Sequence, residues 1–236
     1  MFDLLGYETI SRVILNVDSL QPEALIDEVV EVAGTQTLTF RLGVPRAVMD
    51  LPSSQAGLHL LPVLIGPTRL EEVVEVARGL QEKRGVTGIG LEVELGRNEL
   101  PDLVERLMGE GMKVMADFGS DPELMRNLVE AGATALSTSD LNMGFGPEAR
   151  LGDLLGDRPD FPVIYRAGCV SPSVLVAAME CGFAAVELRG TLSQALDGVG
   201  LAELLANAVE TGRVAFERGW THPAPGLNWD VPPWHG

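Results

Sequence analysis

The 236 residues are 46% hydrophobic, enough for one large core, and carry 34 acidic against 17 basic side chains for a net charge of −17. A surface of that sign repels phosphodiester backbones and anionic lipid, so neither nucleic acid nor a membrane is an expected partner. Two cysteines, Cys169 and Cys181, with no CxxC pair, form neither a zinc motif nor a disulfide framework, so no metal and no cofactor is expected, and a reducing cytoplasm is the expected location.

The opening segment MFDLLGYETI carries an acid where a secretory leader carries basic residues, and no apolar run approaches the length of a membrane span. β-rich runs then recur roughly every 20–30 residues, each followed by a helical pattern, the alternation of βα units. Strands are predicted at SRVILN (11–16), TLTFRL (37–42), LHLLPVL (58–64), TGIGLEV (87–93), KVMADF (113–118), TALSTS (134–139), PVIYRAG (162–168) and AAVELRG (184–190). Between them, PEALIDEVVEVAG and TRLEEVVEVARGLQEKRG space apolar residues three and four apart. DPELMRNLVEAGA opens on an Asp121 cap with Pro122 in the first turn and closes on Gly132; SPSVLVAAMECGFA repeats the design with Ser171, Pro172 and Gly182. The stretch from Pro45 to Gly57 is the weakest helix, and GPEARLGDLLGDRP is short. Eight such units predict a single closed (β/α)8 barrel over residues 1–219. An open doubly wound sheet is the alternative, weakened because no GxGxxG follows the first strand. Residues 220–236, GWTHPAPGLNWDVPPWHG without its first glycine, hold all three tryptophans and two of the three histidines, with no helical pattern. This tail is expected to pack on the barrel or on a partner, because exposed tryptophan is unfavourable.

In a barrel the chemistry lies at the C-terminal ends of the strands. Glu92 sits there in the otherwise apolar run GIGLEVELG, and burying an unpaired carboxylate costs several kcal/mol, so it needs a partner or a task. Two positions earlier, on the same strand face, is Gly90. Asp117, Arg166 and Cys169 end or follow the fifth and seventh strands and complete the candidate catalytic set with Glu92. An acid in an apolar strand is expected to have a raised pKa, which suits proton abstraction beside a carbonyl. The seventh and eighth strands both run through glycine turns into helices, where backbone amides can hold an anion. Gly168, Gly190 and Thr191, with Arg189 beside them and Gly144 and Gly146 flanking, form the candidate phosphate site.

These strings together resemble the bacterial thiazole synthase family over about Ser11 to Gly219. The family's GSQ…VT entry to the second strand resembles GTQTLTF; its LLP is Leu60, Leu61 and Pro62; its K-L-E on the fourth strand is GLE at 90–92. Its PIGSG loop is NMGFG (142–146), its PVVVDAGIGxPS is PVIYRAGCVSPS (162–173), and its AVLVNTAIA is AVELRGTLS (185–193). The resemblance implies a barrel that joins 1-deoxyxylulose 5-phosphate through an imine on the fourth-strand lysine, with a glutamate two residues on and a seventh-strand aspartate as acid/base groups. It also implies a ubiquitin-like carrier that delivers sulfur as a thiocarboxylate, and a homo-oligomer. Position by position the glutamate is Glu92, the lysine falls on Gly90 and the aspartate on Arg166. The only lysines are Lys83, in a helix, and Lys113, at the start of the fifth strand and so at the opposite end of the barrel. The imine route therefore lacks its amine.

Two functions are consistent with this pattern. One is a divergent enzyme acting on a small phosphorylated sugar or ketose-derived metabolite, with Glu92 as acid/base, Arg166 holding an enolate or carboxylate, and Cys169 as a sulfur carrier or nucleophile. The other is a non-catalytic paralogue that binds a phosphorylated ligand or a protein partner, either a sulfur carrier or a thiazole synthase subunit, and in which Glu92 pairs with Arg166. A Glu92–Arg166 contact over a collapsed pocket would favour the second, an open pocket with a bound anion the first.

Overall fold

In the computed structural model, residues 2–19, 24–43, 58–67, 69–141, 151, 155, 161–168, 171–190, 192 and 195–220 are described. Eight strands close on themselves: β3 (Val13–Asn16), β4 (Thr37–Gly43), β5 (His59–Pro67), β6 (Gly88–Glu94), β7 (Lys113–Asp117), β8 (Ala135–Thr138), β9 (Val163–Ala167) and β10 (Ala185–Leu188). All neighbours are parallel and follow chain order, with β10 pairing both β9 and β3 to complete the ring. The expected closed barrel is the observed one, and each predicted strand coincides with one of these eight to within a few residues.

Six α-helices are described around it: α1 (Ala24–Ala33), α2 (Leu70–Arg84), α3 (Glu99–Gly109), α4 (Pro122–Glu130), α5 (Pro172–Glu180) and α6 (Gly198–Glu217). Their ends follow local chemistry. The Asp121 carboxylate accepts the Glu123 and Leu124 N–H groups at 3.0 and 3.1 Å, with Pro122 at the first position of α4. Helix α2 carries Glu71 and Glu72 in its first turn and Lys83 and Arg84 in its last, matching the dipole, and ends on Gly85 at φ +66°. The weak helix at 45–57, most of GPEARLGDLLGDRP and the tail beyond Trp220 lie outside the described residues.

Residues 2–9 form something the sequence did not announce. β1 (Phe2–Leu4) and β2 (Tyr7–Thr9) pair antiparallel, Leu4 opposite Tyr7, so the turn has only Leu5 and Gly6. Both have positive φ, +54° and +89°, as a tight hairpin with right-handed twist requires. Leucine is strained there, but its side chain is 1% exposed and caps the barrel interior with Leu4. These two pack with Ile14, Leu61, Met115, Ala135, Ile164 and Ala185. A Cβ on Gly88 would come within 3.0 Å of the Leu5 Cβ, so the lack of a side chain at Gly88 makes room for the plug. The N-terminal end of the barrel is thus sealed by hydrocarbon, and what the interior offers faces the other end.

Candidate functional site

Side chains alternate along a strand, so residues two apart share a face. Above the plug, the inward positions turn polar. β6 presents Gly88, Gly90 and then Glu92; β7 follows Met115 with Asp117; β9 follows Ile164 with Arg166; β10 follows Ala185 with Glu187, and Arg189 comes next on that face. The structure brings Glu92, Asp117, Arg166 and Arg189, all singled out from sequence, into one cluster at the C-terminal mouth, and adds Glu187.

Arg166 bridges two acids: its Nη1 lies 2.8 Å from Glu92 Oε1, and its Nη2 donates to Asp117 Oδ2. Arg189 grips the same glutamate with both amino groups, Nη1 to Oε2 at 3.0 Å and Nη2 to Oε1. The Arg189 Nη2 also donates to Glu187 Oε2 at 2.6 Å. Glu187, fully buried, accepts the Thr39 hydroxyl at 2.5 Å on its other oxygen, and Thr39 Oγ1 accepts the Asn16 amide at 3.2 Å. Arg41 Nε stands 4.0 Å from Glu92 Oε2. The second oxygen of Asp117 accepts the Gly119 N–H at 2.8 Å. A single polar network therefore runs across the mouth from Asn16 on β3 to Asp117 on β7, with three carboxylates matched by three guanidiniums. Arg166 Nε, also buried, has no hydrogen-bond partner among the described residues.

The expectation that burial raises the Glu92 pKa is reversed. Burial does push it up, but the Arg189 hydrogen bonds and the charges of Arg166 and Arg189 outweigh burial and hold the carboxyl below the ordinary glutamate range. Asp117 behaves in the opposite way: burial, with the nearby Glu92 charge adding to it, lifts its carboxyl above the ordinary aspartate range despite Arg166 and the Gly119 amide. Arg189 is held firmly protonated: burial works against its charge, but hydrogen bonding to Glu92 and the Glu187 carboxylate prevail.

Gly90 is not a gap. A Cβ built there would lie 2.9 Å from Val63 Cγ2 and 3.3 Å from Met115 Cε, so side chains from β5 and β7 occupy the space a longer residue would need. Neither lysine reaches the mouth. Lys83 is in the last turn of α2, and Lys113 opens β7 with its Nζ against Gly6 of the plug. Gly168 and Gly190 follow β9 and β10 as expected, Gly190 in the left-handed region at φ +69°. Gly144, Gly146, Cys169 and Thr191 lie outside the described residues. Sequence reasoning passed over Glu187, although it carries the same signal as Glu92, a carboxylate inside an apolar strand. Among the described residues no group of three or more His, Cys, Asp or Glu could hold a metal, and no helix is long and apolar enough to cross a membrane.

A closed ring of eight parallel strands alternating with helices, with a cluster of ionisable groups at its C-terminal mouth, defines a (β/α)8 barrel protein. Comparison narrows it further. The family profile described as Thiazole biosynthesis protein ThiG matches residues 3–224. Thiazole synthases of Vibrio campbellii and Rhodopseudomonas palustris are 31% and 30% identical, over 224 and 237 residues. The alignments cover 89% and 93% of this chain and 88% and 91% of those proteins. The chain belongs to the ThiG thiazole biosynthesis family. In fold it is similar to a crystal structure of an Amycolatopsis orientalis BexX/CysO complex, with a TM-score of 0.74 at 20% identity over 94% of this chain and 96% of that one. It is also similar to a native KDPGal structure, with a TM-score of 0.59 at 20% identity over 90% of this chain and 98% of that one.

Proposed function

We propose that this family member binds a small phosphorylated ketose at the C-terminal mouth and enolises it by proton transfer, without an imine. The observation that carries this reading is Asp117, a carboxylate at the mouth with one hydrogen bond on each oxygen, standing against the Arg166 guanidinium. The position that holds the family's amine is packed by Val63 and Met115, while carboxylates and guanidiniums stand together at the strand ends. Enolisation needs a carboxylate near the carbon acid and a cation near the developing oxyanion, and this cluster has both. The phosphate is assigned to the glycine turns after β9 and β10, on the sequence signal of Gly168, Arg189 and Gly190 with Thr191, Gly144 and Gly146, because turns leading into helices present backbone N–H groups that suit an anion. A ubiquitin-like sulfur carrier is the protein partner the family resemblance implies, and homo-oligomerisation its assembly; the cysteine usage fits a reducing cytoplasm as the location.

A second reading, a non-catalytic barrel that binds a phosphorylated ligand, is favoured by one observation. The Glu92–Arg166 contact is made, and Glu92 accepts from Arg189 as well. Solvent-deuterium exchange separates the two. Incubated in deuterated buffer with 1-deoxyxylulose 5-phosphate or fructose 6-phosphate, an enolising protein exchanges the proton beside the carbonyl, read by proton NMR. A protein that is thermally stabilised by these compounds but exchanges neither is a binder, and the enolising function is then wrong.

A further inference from the structure

The two mouth carboxylates on β6 and β7 are not equivalent, and their difference assigns the chemistry within the site. This inference rests on the proposed enolising function. Glu92 is the more heavily partnered: Oε1 receives both Arg166 and Arg189, Oε2 receives Arg189 with Arg41 Nε 4.0 Å away, and the side chain is 11% exposed. Accepting a proton there would break a two-guanidinium clamp and leave Arg166 and Arg189 facing each other with less negative charge between them. Asp117 takes one hydrogen bond on each oxygen, from Arg166 and from the Gly119 amide, and its side chain is 21% exposed. Among the described residues, the charged groups facing Asp117 are Arg166 from β9 and Glu92 from β6. Protonating Asp117 removes one of two partners from Arg166, which keeps the other.

We infer that Asp117 is the proton-transfer group of this site and that Glu92 is a fixed anion that positions Arg166 and Arg189. The family resemblance supplied its second acid from the seventh strand, where this chain has Arg166. Here the acid comes from the fifth strand, and Arg166 joins it to Glu92. In the step assigned to Asp117, the carbon–hydrogen bond beside the ketose carbonyl breaks and its proton goes to Asp117 Oδ. The electron pair moves onto the carbonyl oxygen as an enolate, and Arg166 is the nearest cation to meet that charge. Return of a proton or deuteron from Asp117 to carbon restores the ketose. The opposite pKa directions of the two acids agree with this division: the lifted carboxyl is the stronger base, and the depressed one stays ionised throughout.

Two measurements on the full chain test it. In deuterium exchange with 1-deoxyxylulose 5-phosphate and fructose 6-phosphate, D117N loses about 100-fold or more of the wild-type rate, the scale of a lost general base. E92Q keeps measurable exchange with a weakened KM. Exchange lost in E92Q and kept in D117N overturns the inference while leaving the enolising function standing; no exchange by the wild-type chain overturns both. Carbon-detected NMR titration of the side-chain carboxyls in unmodified protein needs no variant to fold. The inference expects the Glu92 midpoint below that of Asp117, and the reverse order contradicts it.

Discussion

The two ends of this barrel are built from the same strands, and they differ by two residues per strand. Ile14 gives way to Asn16, Met115 to Asp117, Ala135 to Ser137, Ile164 to Arg166 and Ala185 to Glu187. At the N-terminal end the inward side chains are hydrocarbon, and the Leu4–Leu5 hairpin seals them from water. At the C-terminal end the same faces carry polar groups, Asn16 and Ser137, and the ions Asp117, Arg166 and Glu187, which pair with charges of opposite sign. The lower layer therefore answers for stability through packed area, while the upper layer stores charge at fixed positions. Stability in the upper layer depends on every member of the network being present, because a lone buried charge is unfavourable.

The largest effect is expected from Arg166→Leu. It strips a cation from Glu92 and Asp117 together, and roughly 3–5 kcal/mol of unfolding free energy should be lost in urea titrations. Adding Asp117→Asn in that background should recover part of the loss, since the penalty is the acid left unpaired. If Arg166→Leu is neutral, the mouth is solvated and the contrast between the ends fails. Leu5→Ala probes the other end and should cost about 2–3 kcal/mol by opening a cavity under Gly88, with no change in the titration of the mouth carboxyls.

Gly90→Lys should cost about 1–3 kcal/mol, because Val63 and Met115 must move to admit it. It should not yield thiazole formation, since Arg166 still stands where the family has aspartate. The smallest effects are in pH. The Glu92 carboxyl is depressed in the fold, so its stabilising contribution is complete above about pH 4.5 and is lost as pH falls through its folded value. The Asp117 carboxyl is raised, so it works the other way: stability declines as pH rises above about 3.8 through its folded value. Thermal melts across this acid range should show a shallower pH slope for E92Q than for wild type and a steeper one for D117N.

Much of the fold was readable because each βα unit repeats the same local signals: an apolar run, a cap such as Asp121–Pro122, and a glycine stop such as Gly85 or Gly132. The hairpin plug was not, since three-residue strands show no alternation and Leu5 holds its turn against its own backbone preference only because the barrel interior accepts its side chain. At the mouth, Glu92, Asp117, Arg166 and Arg189 stood out as charges at strand ends. Their pairing was legible only in part. That Arg166 meets Glu92 follows from two inward positions of opposite charge. That Arg189 clamps Glu92 and leans on Glu187 depends on barrel curvature, which brings β6 and β10 across the interior from one another and leaves no mark on local sequence. The direction of the Glu92 shift was missed for the same reason: burial was visible in the apolar run, but the second guanidinium was not.

In the proposed function an ionic bridge stands at the mouth in place of the family's amine, and no imine forms. Borohydride treatment in the presence of 1-deoxyxylulose 5-phosphate, followed by intact-protein mass spectrometry, checks this. The unmodified mass is expected, because Lys83 lies in the last turn of α2 and Lys113 lies against Gly6 of the plug. A reduced ketose adduct mapped to either lysine would contradict it.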